Sequence, residues 1–68
     1  MKPEDIEVGK TYRGEGRLLK EVQTIYPFKS EESPGAVHYF YYVNPSDFAK
    51  WSYETPEAFA AWAIEEVK

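Results

Sequence analysis

Residues Ala36-Val-His-Tyr-Phe-Tyr-Tyr-Val43 have the clearest β-strand character in the chain. Aromatic and β-branched side chains fill this stretch, and strands favour both. The alternation of a strand gives its faces different sets: Ala36, His38, Phe40 and Tyr42 on one, and Val37, Tyr39, Tyr41 and Val43 on the other. Both sets are apolar, so we predict a central strand that is covered on both sides or keeps one face for a partner.

Two more strands are predicted upstream, on either side of a turn at residues 14–16, which read Gly-Glu-Gly. The first covers residues 8–13. The second lies within residues 17–28, where apolar residues at helical spacing compete with β-branched residues and flanking turn signals. We predict a strand there, with a β-bulge that reconciles the two periodicities. The polar residues 29–35 are predicted to form an exposed, mobile hairpin loop.

The end of the chain predicts a helix. Residues 55–57 read Thr-Pro-Glu, which supplies an N-cap, a first-turn proline and an acidic residue at the positive end of the helix dipole. Phe59 and Trp62 share one face of a helix over about 56–67. A helix of about twelve residues is marginal alone, so it must dock on the sheet. A short strand is expected before it, at residues 51–53.

Length and composition limit the class of protein. The chain has 68 residues, so we predict one domain over residues 1–68. It has no cysteine, which excludes disulfides and thiolate metal sites. No apolar run approaches the roughly 20 residues of a membrane helix, and the first residues lack the apolar segment of a signal peptide. We therefore expect no membrane partner and a cytoplasmic location.

The residues that could carry catalysis do not form a recognisable constellation. His38 is the only histidine, which excludes a multi-histidine metal site, and its aromatic strand suggests a structural imidazole. Adjacent acidic pairs point to different faces of a strand or helix, so they are poor acid and base partners. The glycine turn lacks the length and the Lys-Ser/Thr ending of a phosphate loop. We predict no enzymatic activity, no metal and no cofactor.

A basic cluster lies in the first predicted hairpin, at Lys10, Arg13, Arg17 and Lys20. Arg13 and Arg17 flank the same turn, so the cluster could hold a phosphate or an acidic partner surface. It could equally be ordinary edge charge that discourages strand pairing. The net charge of −4 disfavours a general nucleic-acid role, because such proteins usually carry a basic footprint.

The chain has twelve aromatic residues, and nine of them lie between positions 39 and 62. We expect Phe40, Phe59 and Trp62 in the core and several tyrosines partly exposed, either incidentally or as a binding patch. Exposed Tyr and Trp are common interface anchors. The predicted partner-binding residues are Tyr12, Arg13, Arg17, Lys20, Tyr26, Tyr39, Tyr41, Trp51 and Tyr53.

A weak pattern runs along nearly the whole chain: Val8-Gly9-Lys10-Thr11-Tyr12-Arg13, Gly16-Arg17, Val22 and Ile25, Val37 with Tyr39, and Ser52 to Phe59 with Trp62. It resembles a loose set of short, mostly uncharacterised phage, prophage and bacterial proteins, which look like small SH3-like barrels with a C-terminal helix. This chain departs from the set in the longer spacing before Phe59 and in its acidity. The resemblance implies a fold and a phage-like setting, and it transfers no catalytic residue.

The fold class expected is mainly β (α+β): a small, bent, SH3-like antiparallel sheet of four to five strands with one C-terminal helix packed on it. The function expected is a non-enzymatic protein-interaction module, a phage or prophage accessory protein that binds and inhibits a host defence-related protein. The alternative is a small nucleic-acid-binding protein that uses the basic hairpin at residues 10–20. A homodimer, paired across a two-fold axis, also stays open.

Overall fold

The computed structural model describes residues 1–26 and 35–68, and within them it shows one antiparallel sheet and one short α-helix. The strand order is β4-β3-β2-β1-β5. The elements are β1 (Thr11–Arg13), β2 (Leu19–Tyr26), β3 (Ala36–Tyr42), β4 (Lys50–Glu54), α1 (Pro56–Trp62) and β5 (Glu65–Val67), with a 3-10 helix (Pro3–Asp5) before β1. The mainly β class and the strand number are confirmed, whereas most of the predicted loop at 29–35 lies outside the described residues.

The first hairpin forms at the predicted glycine turn. Arg13 pairs with Leu19 across it. Gly16 has a φ of +92°, a conformation that glycine adopts without strain. β1 is shorter than predicted, because Gly9 turns the chain with a φ of +86° before the strand begins.

The central hairpin contains the predicted β-bulge. The register between β2 and β3 shifts between Val22 and Thr24, which pair with Tyr39 and His38. One extra residue on β2 changes which of its side chains point to each face. This shift explains why residues 17–28 carried two competing periodicities.

The helix begins as predicted but ends five residues early. The Thr55 side chain caps it by accepting a hydrogen bond from the Ala58 amide at 3.1 Å. The prediction of a helix to about residue 67 is wrong, because Ala63 is extended and the Ile64 amide donates to the Arg13 carbonyl at 2.8 Å. Residues 65–67 then form β5 on the outer edge of β1, which satisfies backbone groups that the edge would otherwise leave unpaired.

The core lies between α1 and one face of the sheet. Phe59 is fully buried, with its ring 5.8 Å from Tyr12 and 5.5 Å from Tyr39 in edge-to-face contacts. Trp62 is half-buried beside it. Phe59 therefore lies inside as expected, but Phe40 does not, because alternation along β3 places it on the opposite face of the sheet.

Within residues 1–26 and 35–68, no helix has the length and apolar character needed to cross a membrane.

Gly14 allows the helix end to approach the first hairpin. A Cβ at this position would collide with the backbone carbonyl oxygen of Trp62, and it would lie 2.6 Å from both Cε2 and Nε1 of the indole. We expect Gly14→Ala to lower the free energy of unfolding by about 1–3 kcal/mol, because the backbone at the end of α1 must move away from the first hairpin. Urea unfolding measures the loss. Glu15→Ala, at an exposed neighbour, is the control, and equal stability of the two variants would contradict this account.

Candidate functional site

The face of the sheet opposite α1 carries a cluster of aromatic rings, some exposed and some half-buried. His38 and Phe40 come from β3, and Trp51 and Tyr53 come from β4. These four residues, called the open aromatic face below, line a hollow of about 300 Å³. Trp51 is 61% exposed and Tyr53 is 50% exposed, and residues 1–26 and 35–68 place no helix over them.

The open aromatic face is ordered around His38. The strand register sets Phe40 opposite Trp51 and His38 opposite Tyr53. The imidazole stacks on the Tyr53 ring, with a centroid distance of 4.7 Å and an interplanar angle of 20°. It contacts the Trp51 ring edge-on, with a centroid distance of 5.6 Å and an interplanar angle of 87°. The Phe40 ring also contacts the imidazole, at a centroid distance of 6.0 Å. Tyr26 extends it along the sheet, 6.4 Å from Tyr53.

The chemistry of this face is that of apolar recognition. Among the described residues, His38 Nε2 is shielded from solvent and has no hydrogen-bond partner. The imidazole is in contact with aromatic rings, so it acts here as a flat packing element. Rigid aromatic side chains around a shallow hollow can bind apolar or aromatic groups of a partner with little loss of rotamer entropy.

The opposite face holds a buried lysine. Lys20 is 7% exposed, and its Nζ lies 4.2 Å from the ring centroid of Trp62 and 4.8 Å from that of Tyr39. Its Nζ is paired with the Glu54 carboxylate, which β4 brings from the sheet edge. The charge is thus neutralised by one carboxylate and further stabilised by the ring faces.

The predicted basic cluster does not form a common basic surface. Lys10 Nζ lies 3.7 Å from Glu66, and Arg13 Nε lies 2.5 Å from Glu65. Both acids belong to β5, whose residues were predicted to be part of the helix. Lys20 is in the core, and Arg17 is exposed in the turn between β1 and β2.

The predicted aromatic site residues separate into two groups. Tyr12 and Tyr39 are buried under α1, and Tyr41 is half-buried on the same side of the sheet. Tyr26, Trp51 and Tyr53 are exposed and lie on or beside the open aromatic face. Two members of that face were not predicted as site residues, namely His38 and Phe40. Their signal was the strand alternation that put them on one side of β3.

Burial changes the acidity of the two core tyrosines. Desolvation raises the pKa of Tyr39 to about 12, and the Glu54 carboxylate acts in the same direction. Desolvation also raises the pKa of Tyr12. The Tyr12 hydroxyl donates to the Asp5 carbonyl at 3.2 Å and accepts from the Glu7 amide at 2.9 Å. Both phenols are therefore held in their neutral form.

These pKa values predict a loss of stability at high pH. A raised pKa means that the folded chain holds the Tyr39 proton more tightly than the unfolded chain, whose tyrosines ionise near 10.0. The stability that the neutral Tyr39 phenol adds to the folded state is complete below pH 10.0, and it is lost as the pH rises towards about 12. Urea midpoints across this range measure it. Tyr39→Phe should reduce the pH dependence, and an unchanged dependence in that variant would contradict the assignment.

The buried ion pair predicts a non-additive mutant cycle. Glu54→Gln should destabilise the fold by about 3 kcal/mol, because it leaves the Lys20 ammonium in the core without its counter-charge. Lys20→Met combined with Glu54→Gln should recover most of this loss, since Met keeps the aliphatic volume among the rings. Arg13→Met is the control, because its exposed pair with Glu65 contributes less than about 1 kcal/mol. If urea unfolding showed that the losses of the Lys20 and Glu54 substitutions simply add, the buried pair would not be the cause of the destabilisation.

The chain was compared with protein-family models, with curated proteins and with solved structures, and no match was found. The SH3-like character and the phage setting thus stay predictions from the sequence. The fold and the open aromatic face stand on the geometry described above.

Proposed function

We propose that this chain is a non-enzymatic protein-interaction module that binds a partner protein through the open aromatic face. The observation that carries the proposal is the exposure of Trp51 and Tyr53 beside the hollow that His38 and Phe40 help to line. Tyr and Trp are, together with Arg, the residues most enriched at interface hot spots. A cluster of them on one sheet face is typical of a binding surface rather than of scattered exposure.

The charge of the chain favours a basic partner. Its net charge of −4 attracts a positively charged surface and accelerates encounter with it at low salt. Affinity then comes from the rings, because a partner side chain that enters the hollow is removed from water. The pairing of Lys10 and Arg13 with acids of β5 reduces their repulsion of such a partner.

The setting proposed is the one that the sequence resemblance implies. The chain is a phage or prophage accessory protein with an SH3-like fold, and it inhibits a host defence-related protein by covering its surface. The strand order supports the fold proposal, because four consecutive strands form a meander and the fifth returns to β1. The acidic charge supports the inhibitory role, since an acidic module can compete with nucleic acid for a basic groove.

Nucleic-acid binding, the alternative from the sequence, has less support from the site. Three of its four basic side chains contact acids of the described residues, and one of the three, Lys20, is buried in the core. The aromatic rings could still stack on bases. A nuclease treatment separates the two functions, because only binding through nucleic acid would be lost.

The test of the function is a capture experiment with matched variants. The tagged chain is incubated with bacterial lysate at low salt, with and without nuclease, and the bound proteins are read by mass spectrometry. We expect at least one protein to be captured in both halves, and Trp51→Thr with Tyr53→Thr to reduce its capture at least tenfold. Threonine keeps the strand preference of β4.

Phe48→Thr is the control, because Phe48 is fully exposed in the connector before β4 and outside the open aromatic face. Circular dichroism establishes that each variant is folded. Equal capture by the unmodified chain and by the double variant would exclude this face as the site. Capture that disappears with nuclease would favour the nucleic-acid function instead.

A further inference from the structure

We propose that β4 pairs with β4 of a second copy of this chain, antiparallel, around a two-fold axis at Ser52. The resulting dimer has one continuous sheet across both copies. This goes beyond the proposed function, because it concerns the edge of the sheet rather than its face, and it leaves the open aromatic face accessible.

The edge itself is suited to pairing. Among residues 1–26 and 35–68, β4 pairs with β3 on one side and with no strand on the other. Its five residues, Lys50–Glu54, include no proline, no glycine and no bulge. An edge strand of this kind presents unpaired backbone donors and acceptors, and natural proteins usually block or pair such an edge.

The sequence of β4 is complementary to itself when it is reversed. It reads Lys-Trp-Ser-Tyr-Glu, with a cation at one end, an anion at the other and aromatic residues on either side of Ser52. A two-fold axis at Ser52 sets Lys50 opposite Glu54 of the second copy. It also sets Trp51 opposite Tyr53 of the second copy. Each of these matches occurs twice in the dimer, because the interface is isologous.

The charge match is supported by the surroundings of Glu54. Its side chain is 21% exposed and already contacts Lys20 from the interior. Lys50 is exposed, and alternation along β4 places it on the same side of the strand as Glu54. In the dimer, Lys50 of the second copy approaches this carboxylate from the outer side. Opposite charges set directly across an antiparallel pair stabilise it.

The aromatic match joins the two open faces. Trp51 and Tyr53 point to the side of the sheet away from α1 in both copies, since the two-fold axis at Ser52 is perpendicular to the sheet and preserves its sides. Directly opposed aromatic pairs are among the favourable cross-strand contacts. The dimer then presents one aromatic surface, with a His38 and Phe40 pair at each end of the central four rings.

Other pairings of the edges lack this match. A two-fold axis at Trp51 sets Lys50 opposite Ser52, and one at Tyr53 sets Glu54 opposite Ser52, so in neither case does Lys50 meet Glu54. The second edge, β5, has Glu65 and Glu66 in its three residues, so a two-fold axis at Glu66 would set like charges against each other. Like charges directly opposite are destabilising. The axis at Ser52 of β4 is therefore the pairing that the sequence favours.

The first test measures the association of the purified chain in a dilution series by sedimentation and light scattering. We expect a concentration-dependent dimer, weakened about tenfold or more by Lys50→Glu, which replaces two attractive pairs with two repulsive ones. Lys68→Glu makes the same change of charge at an exposed site outside β4 and should leave the dimer unchanged. A monomer at all concentrations, or equal effects of the two variants, would overturn the proposal.

The second test determines the register. Because the chain has no cysteine, Ser52→Cys introduces a single thiol on the proposed axis, where the two Cα atoms lie about 4.5–5.5 Å apart, within disulfide range. Oxidation should cross-link it rapidly, whereas Ser46→Cys, in the exposed connector, should react slowly. Equal cross-linking of the two variants would exclude the axis at Ser52.

The two proposals fail separately. Lys50→Glu does not alter a member of the open aromatic face, so a monomeric Lys50→Glu chain that still captures a partner would keep the proposed function. A stable dimer that captures no protein would support the edge pairing and contradict the proposed function.

Discussion

The contact of Phe59 with Tyr12 and Tyr39 determines the rest of the structure. Phe59 is fully buried, and through it a helix of seven residues is held on a five-stranded sheet. One helix packs on one face of a sheet, and α1 is the one α-helix among the described residues. The apolar side chains that alternate to the other face of β3 and β4 consequently stay at the surface. The open aromatic face follows from the presence of a single α-helix in residues 1–26 and 35–68.

The same packing explains the position of the charges. Burial of Lys20 beneath the rings of the helix side requires a counter-charge, and Glu54 supplies it across β3 from the edge strand. The contact with Lys20 thereby orients the Glu54 carboxylate at the end of β4. Glu65 and Glu66 make a comparable but exposed set of pairs with Arg13 and Lys10 at the other edge. The basic hairpin and the acidic chain end are thus two halves of one sheet edge.

Local features of the sequence were sufficient to predict most elements but not how they meet. The β-bulge of β2, the alternation of β3 and the cap at Thr55 depend on neighbouring residues, and all three are present. The end of the helix was predicted wrongly, because whether residues 65–67 continue it depends on the free edge of β1, more than fifty positions away. For the same reason the sequence could not show that Tyr39 would be buried and Phe40 left outside. Both faces of β3 were apolar, and only the docking of α1 selects between them.

The edge and the face of β4 can serve different partners, because the alternation of a strand separates them. Its backbone groups point along the sheet, whereas Trp51 and Tyr53 point out of it. A strand edge that no described strand covers, beside exposed rings, would favour unlimited association of sheets. A two-fold pairing at Ser52 ends that growth after one step, since it occupies β4 in both copies and leaves the acidic β5 at both outer ends. The aromatic rings are then exposed as a defined surface of a closed assembly, which is the state in which they can bind another protein selectively.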